Sequence, residues 1–465
     1  MKIHSVRLGH ATNSSSTHSI VILPNAARYD DTNNSARFGW EFFTAGARES
    51  KLDYFALTVY YALYKLLNDD VMAKIVTNAL CGVDLFEDED DIYSPYIDHQ
   101  SVLTLPSSFG SNPPHPEFLK EFREFLLRDN VAILGGNDNV EEAHPLLSQG
   151  REIHLPLPRD NNLPIKARKD AKYGYWTIYN PHTGAKARLS FYDQVDIPNK
   201  AYAPELVDVC ITHACPFECE FCYENATPGG KIASWDSMMD FAFTMARLEV
   251  FEVAIGGGEP TLHPKFNDFV RLLANRGVTP NFSTRNLAWF YHPANRELLR
   301  DVGGFALSVQ YADEVEELAA LVKLYRIPVH KASVQVVVGV PDEWTFRDIL
   351  ETAAQQKLRV TLLGYKSVGR GENYTPKKYD WLEIYQALGC KPTLSIDTAL
   401  AKASQERLDE ANVPRYLYRV KEGEFSMCVD LVNNTMGRAS HEKDTFVEFG
   451  DELTADKVVK QFAQW

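Results

Sequence analysis

Leu206-Val207-Asp208-Val209-Cys210-Ile211-Thr212-His213-Ala214-Cys215-Pro216-Phe217-Glu218-Cys219-Glu220-Phe221-Cys222 reads as a strand that runs into a cysteine loop. The strand covers 206–212, and the cysteines follow with spacing C-x3-C-x2-C. Loops at the C-terminal ends of parallel strands are where α/β folds place their chemistry. Three thiolates so close together can wrap one metal centre. An electron-transfer [4Fe–4S] cluster has four cysteine ligands, whereas three leave one iron open to a further ligand. A structural zinc site wants four closed ligands. Cys210 lies about 16 Å upstream along an extended strand, too far to be the fourth. His213 is nearer, so on spacing alone a cluster and a zinc site both stand.

Outward from this loop the chain alternates strand and helix. A second strand at 251–255 ends in Gly256-Gly257-Gly258-Glu259-Pro260. Glycines there allow close backbone approach to a ligand and positive φ. Glu259 can accept a hydrogen bond from an ammonium group. Further strands are expected at 278–283, 304–309, 333–338 and 359–364. The helices between them have apolar stripes: Phe266, Phe269, Val270 and Leu273 in 264–276; Val315, Leu318 and Val322 in 313–326; Phe346, Ile349 and Ala353 in 343–357. Asp313 and Asp342 are the expected N-caps of the last two. Six β/α units imply a parallel sheet with right-handed crossovers. Periodicity does not say whether it is open or curled.

Three regions are expected: 1–200, an N-terminal α+β part; 201–375, the β/α units; and 376–465, a short C-terminal α+β extension. The first opens on a polar tract, Asn13-Ser14-Ser15-Ser16, read as a turn capping a strand at 20–23. A helical stretch at 51–80 follows, then an acidic run at 87–91 read as a solvated loop. Pro113, Pro114 and Pro116 precede a helix at 117–128. Residues 172–192 form a hairpin, with the turn signal Asn180-Pro181-His182-Thr183-Gly184. The extension has a strand at 392–396, a helix at 398–411 and strand-like pieces at 425–432 and 445–449, packed on the sheet edge.

The 465-residue chain is 45% hydrophobic and 24% charged, ordinary for a globular protein, with net charge −15. No dense Lys/Arg run suits phosphate contacts, so nucleic acid is not the expected partner. The most apolar stretch, 55–67, is too short to span a bilayer and contains Lys65. No secretory signal is read at the N-terminus, and a cytoplasmic location is expected. There are seven cysteines, four of them between 210 and 222, which suits a metal site better than a disulfide framework.

The cysteine motif and the Gly257-Gly258-Glu259 element together resemble the radical S-adenosylmethionine (SAM) superfamily over about 205–371. Phe221, an aromatic just before the third cysteine, fits the same pattern. The resemblance implies a partial (β/α)6 barrel and a [4Fe–4S] cluster on Cys215, Cys219 and Cys222. SAM is reductively cleaved to a 5′-deoxyadenosyl radical that takes hydrogen from a substrate. A flavodoxin or ferredoxin is the implied electron donor. Gly256, Gly257, Gly258 and Glu259 would hold the amino group of SAM, and Phe221 would lie near adenine. Ser283, Thr284 and Ser308 are candidates for its carboxylate and ribose, and Val338 and Leu363 for packing on adenine. A bulky residue at Gly257 is expected to weaken SAM binding without emptying the cluster.

Gly364-Tyr365-Lys366-Ser367-Val368-Gly369-Arg370-Gly371 resembles the segment leading into the extension of the SPASM and twitch branch, which modifies peptides and proteins. Tyr365, Lys366 and Arg370 become candidates for substrate contact or proton transfer. That branch carries cysteines for auxiliary clusters, whereas only Cys390 and Cys428 follow the β/α units here. The expected substrate is a peptide or protein side chain, with residues 1–200 recognising it and the 172–192 hairpin edge taking up an added strand. A small metabolite such as a nucleotide or sugar is the alternative, and a non-enzymatic zinc protein a distant third.

Overall fold

The computed structural model describes residues 199–465 continuously. Before them it describes 2–6, 17–23, 37–39, 43–83, 95–97, 103, 105–108, 113–136, 146, 151–153 and 165–192. The polar tract 13–16 and the acidic run 87–91 lie outside the described residues. The chain divides into two compact units, one of 1–169 with 174–197 and one of 170–173 with 198–465.

The first unit holds two four-stranded sheets. One contains β1 (Lys2–Val6), β8 (Lys166–Lys169), β9 (Trp176–Tyr179) and β10 (Lys186–Ser190). The other contains β2 (Thr17–Ile22), β4 (Phe43–Ala45), β6 (Val131–Gly136) and β7 (Arg151–Ile153). Two short strands, β3 (Arg37–Phe38) and β5 (Tyr96–Ile97), pair apart. The expected hairpin is present as β9 and β10, antiparallel. It is not an edge. The order is β1-β10-β9-β8, so both hairpin strands have neighbours on each side and offer no free row of backbone groups. The expected helix at 51–80 is two helices, α1 (Arg48–Leu67) and α2 (Asp70–Cys81). Asn68 turns left-handed at φ 50° to close α1, and the Asp69 side chain accepts from Met72 N to open α2. A third helix, α3 (Pro116–Leu126), starts on a proline, whose missing N–H has no partner to lose there.

The second unit is built on one ten-stranded sheet. Its six central strands are β11 (Leu206–Thr212), β12 (Glu252–Gly257), β13 (Thr279–Thr284), β14 (Gly304–Ser308), β15 (Ala332–Val337) and β16 (Arg359–Leu363), all parallel and in chain order. The helices α4 (Trp235–Arg247), α5 (Phe266–Asn275), α6 (Pro293–Leu298), α7 (Ala312–Leu324) and α8 (Glu343–Gln355) lie between them in sequence. Asp342 caps α8 as expected. The N-cap of α7 is Tyr311, with Glu314 reaching back to it, so Asp313 sits inside the first turn instead.

One face of the sheet is apolar and fully packed, with Val207, Val209, Val253, Ile255, Phe282, Val334 and Val360 all at 2% exposure or less. The other face carries Asp208, Asn281, Ser283, Ser308, Gln335 and Thr361, none of them buried. A parallel sheet packed by helices on both faces would be apolar on both. The polar face therefore lines a space. The sheet also curls. Five strand spacings, about 24 Å in a flat sheet, separate β11 from β16, yet Arg370 N, after β16, donates to Cys222 O, after β11, at 3.0 Å.

Residues 376–465 are not a separate body. β17 (Leu394–Ile396) pairs with β16, and β18 (Ser426–Asp430) pairs with β11, both parallel. β19 (Thr435–Gly437) and β20 (Val447–Glu448) continue the sheet beyond β18. The extension thus lengthens both edges. The helix expected at 398–411 is split into α10 (Thr398–Ala403) and α11 (Gln405–Glu410), after α9 (Trp381–Ala387). The terminal helix, α12 (Ala455–Gln464), buries Val458 and Phe462 in the same core. Among the described residues no helix is long and apolar enough to cross a membrane.

Candidate active site

The cysteine loop leaves the C-terminal end of β11 and is fixed from two sides. On one side is the glycine turn that ends β12. Gly258 N donates to Thr212 O at 2.6 Å, and Glu259 N to Ala214 O at 2.9 Å. This approach needs glycine. A Cβ on Gly257 (φ 111°) would stand 2.3 Å from Thr212 O, and one on Gly258 2.3 Å from Ala214 O. A Cβ on Gly256 would meet nothing within 4 Å. The turn therefore has two jobs: Gly257 and Gly258 seat the cysteine loop, and Gly256 borders open space. A bulky residue at Gly257 strikes the strand that leads into the cysteines, so the expectation that it would spare the cluster is revised.

On the other side is the segment after β16. Arg370 donates from Nε to Cys219 O at 2.9 Å and from Nη1 to Ala226 O at 2.7 Å. Gly369, at φ 60°, lies so close to the loop that a Cβ there would be 2.6 Å from Tyr223 O. The Tyr365 hydroxyl lies against the Gly371 and Tyr374 carbonyls. Arg370 and Tyr365, expected at the substrate, thus have their polar ends committed, Arg370 to the cysteine loop and Tyr365 to its own segment. Lys366 differs. Its ammonium lies 4.5 Å from the Tyr223 ring centre and 3.9 Å from Asp397 Oδ2.

Glu259 is 2% exposed and heavily engaged. Oε1 accepts from Thr261 N at 3.2 Å, Thr261 Oγ1 at 2.6 Å and Thr284 Oγ1 at 2.7 Å. Oε2 accepts from Arg285 N at 2.9 Å. The carboxylate ties the end of β12 to the end of β13, and Thr284 is buried in that tie. Ser283 and Ser308 face the polar space, with Leu363. Val338 donates its N–H to Leu363 O at 2.9 Å, which holds those two together. Phe221 meets Tyr374 edge to face at 5.9 Å.

Two features of the site carry no sequence motif. Arg285 donates from Nη1 to Cys219 Sγ at 3.2 Å. Asp208, on the polar face of β11, has open access yet is surrounded by protein. Burial, with Asp397 adding to it and Lys366 opposing it, pushes its pKa up to about 6. Glu422 is pushed up to about 7 by burial, with Asp208 and Asp397 adding and Lys366 opposing. Asp208, Glu422 and Asp397 thus share the field of Lys366.

The donor set fits a cluster better than a single ion. Sulfurs around one tetrahedral zinc lie about 3.8 Å apart, as Zn–S bonds of about 2.3 Å require. Among the described residues, three ligand atoms all within 4.8 Å of one another occur only at Cys210, His213 and Asp430, and the three motif sulfurs are spread wider. Burial, opposed by the Phe217 backbone and reinforced by Glu259, Cys219 and Cys222, pushes the Cys215 thiol up. His213 is held by one ring nitrogen. Its Nε2 pairs with Asp430 Oδ2 at 3.1 Å, and Asp430 also accepts from Val432 N and twice from Asn433. The Cys210 thiol donates to Thr212 O at 3.5 Å.

The model of the radical SAM superfamily matches residues 209–363, the segment that runs from within β11 to the end of β16 and contains the cysteine loop and the glycine turn. No curated protein matches the chain. Among solved structures, the chain is similar to Streptococcus suis SuiB bound to S-adenosylmethionine, with TM-score 0.43 and 16% identity over 56% of this chain and 66% of that one. That match spans just under two thirds of the SuiB chain. A second SuiB structure gives 0.47 and 13% over 63% and 87%. Native anSMEcpe with bound AdoMet gives 0.32 and 14% over 56% and 81%.

Proposed function

Residues 209–363 are a radical SAM domain, and from that premise we propose that this enzyme uses Cys215, Cys219 and Cys222 to hold a [4Fe–4S] cluster and acts on a peptide or protein side chain. When bound, the cluster supplies one electron to the sulfonium of SAM, giving methionine and a 5′-deoxyadenosyl radical that takes a hydrogen atom from the substrate. The chain's own part is to bind, orient and enclose. The single observation that carries the reading is the seating of the cysteine loop on the glycine turn, through Gly258 N to Thr212 O and Glu259 N to Ala214 O. It puts three thiols and the open flank of Gly256 at the C-terminal ends of adjacent parallel strands. Ser283 and Ser308 face the same space and offer hydroxyls to the carboxylate and ribose of SAM. Glu259 holds this edge in place, and its remaining Oε2 lone pair can take an ammonium hydrogen.

The peptide reading is supported by the N-terminal unit, a compact body with a core of its own around Phe118, Phe122 and Trp176. The hairpin no longer contributes to it, because its strands are internal. A flavodoxin or ferredoxin would deliver the electron. The polar lumen around Asp208 and Lys366 favours the second reading, a nucleotide or sugar. The test is anaerobic incubation of the whole protein with SAM, dithionite and a peptide encoded by a short neighbouring reading frame. Formation of 5′-deoxyadenosine together with a mass change in the peptide supports the proposal. Turnover of a nucleotide or sugar with the peptide unchanged contradicts its substrate half.

A further inference from the structure

Arg285 stands in the turn that leaves β13, and its backbone N–H and both terminal guanidinium nitrogens have partners. Its N–H donates to Glu259 Oε2 at 2.9 Å and its Nη1 to Cys219 Sγ at 3.2 Å. Its Nη2 pairs with Glu314 Oε1 at 3.3 Å, and its guanidinium lies 5.6 Å from the Phe217 ring centre. Glu314 is fixed in turn. Its Oε2 accepts from Gln310 N at 2.5 Å and Tyr311 N at 3.1 Å at the start of α7. Both side chains are about three-quarters buried, so salt screens the pair less than a surface pair.

We propose that Arg285 is a positioning residue that raises the reduction potential of the cluster through its hydrogen bond to the Cys219 sulfur. The proposal rests on the radical SAM reading above. Taking up one electron from a low-potential donor makes a cluster and its thiolates more negative. An N–H···S bond and a positive charge beside one sulfur stabilise that reduced state over the oxidised one. Hydrogen bonds to sulfur and local charge are among the levers that set such potentials. Glu314 orients the guanidinium and offsets part of its charge.

The two residues therefore act with opposite signs, which separates tuning from simple support of the loop. The experiment is an anaerobic redox titration of the reconstituted full chain, with dithionite and mediator dyes, following the electron paramagnetic resonance signal of the reduced cluster. Arg285→Gln, which removes the charge, is expected to lower the midpoint potential. Glu314→Gln, which frees the arginine's charge from its partner, is expected to raise it. An Arg285→Gln variant with full iron content and an unchanged or raised potential overturns the proposal. If that variant does not hold its cluster, Glu314→Gln decides alone: a rise supports the proposal, and no change or a fall overturns it. A wild-type protein that takes up no iron and sulfide overturns the premise, and the tuning role with it. Iron analysis tells that failure apart from a loaded cluster whose potential does not move.

Discussion

Arg370 Nε donates to Cys219 O at 2.9 Å, although the two residues are 151 positions apart. The segment after the last central strand thus clamps the loop after the first. Arg370→Ala removes this bond and the one to Ala226 O, leaving two carbonyls beside the cysteines without their charged donor. Bonds to charged groups contribute about 1.5–3 kcal/mol each. The expected result is faster loss of iron to a chelator, by tenfold or more, with Arg370→Lys in between. Unchanged iron release would mean that the clamp does not support the cysteine loop.

The glycine turn divides into two phenotypes. Gly258→Ala, whose methyl would collide with the Ala214 carbonyl, is expected to lower iron content after reconstitution. Gly256→Ala, whose methyl enters open space, is expected to keep its iron and lose SAM affinity by isothermal titration. Equal iron content in the two variants would contradict the division.

Glu259 should act on folding as well as on SAM. Glu259→Ala leaves the Thr284 O–H and the Arg285 amide without an acceptor, although Thr284 Oγ1 still accepts from Asn286 N, and buried donors left unpaired cost about 1–3 kcal/mol each. Urea unfolding of the cluster-free protein should show a loss of about 3 kcal/mol, and a smaller one for Glu259→Gln. A variant as stable as wild type would confine Glu259 to cofactor binding.

Two carboxylates with raised values set a pH dependence. Asp208 and Glu422 have folded-state values raised to about 6 and about 7 from ordinary values of 3.8 and 4.5. Between the two ranges the folded protein holds protons that the unfolded chain has released. Their contribution to stability therefore falls as pH rises from about 4 to about 7, and is flat above. His441 runs the other way. Burial, with Lys366, Lys402 and Lys443 nearby, pushes it down to about 4, so its contribution falls as pH drops below 6.5. Comparing the double variant Asp208→Asn, Glu422→Gln with wild type largely removes the histidine effect. Thermal melts should show the variant gaining on wild type from pH 4 to pH 8. A constant or shrinking gap would contradict the raised values.

Much of the second unit was legible because its signals are local. The six central strands lie within two residues of where the apolar runs placed them, and the cysteine and glycine motifs lie on adjacent strand ends as read. What was not legible depends on distant pairing. Nothing in 425–432 says that it pairs with β11, since its partner Leu206 lies before all the other central strands while Ser426 lies after them. The hairpin read as an edge because its neighbours, β1 and β8, lie outside its own sequence. Arg285 was missed because an arginine at a strand end has no pattern; its meaning comes from Cys219, 66 positions earlier. The break between α1 and α2 did leave a signal: Asn68 before Asp69 is a left-handed closing residue followed by an N-cap.

Metal and sulfide analysis of the anaerobically reconstituted wild-type protein, beside the triple variant Cys215→Ala, Cys219→Ala, Cys222→Ala, tests the three-cysteine site most directly. The wild type is expected to hold close to four irons (~4, one [4Fe–4S] cluster) with matching sulfide, and the triple variant almost none. Tightly bound zinc without sulfide in the wild type, or full iron in the triple variant, would contradict the account.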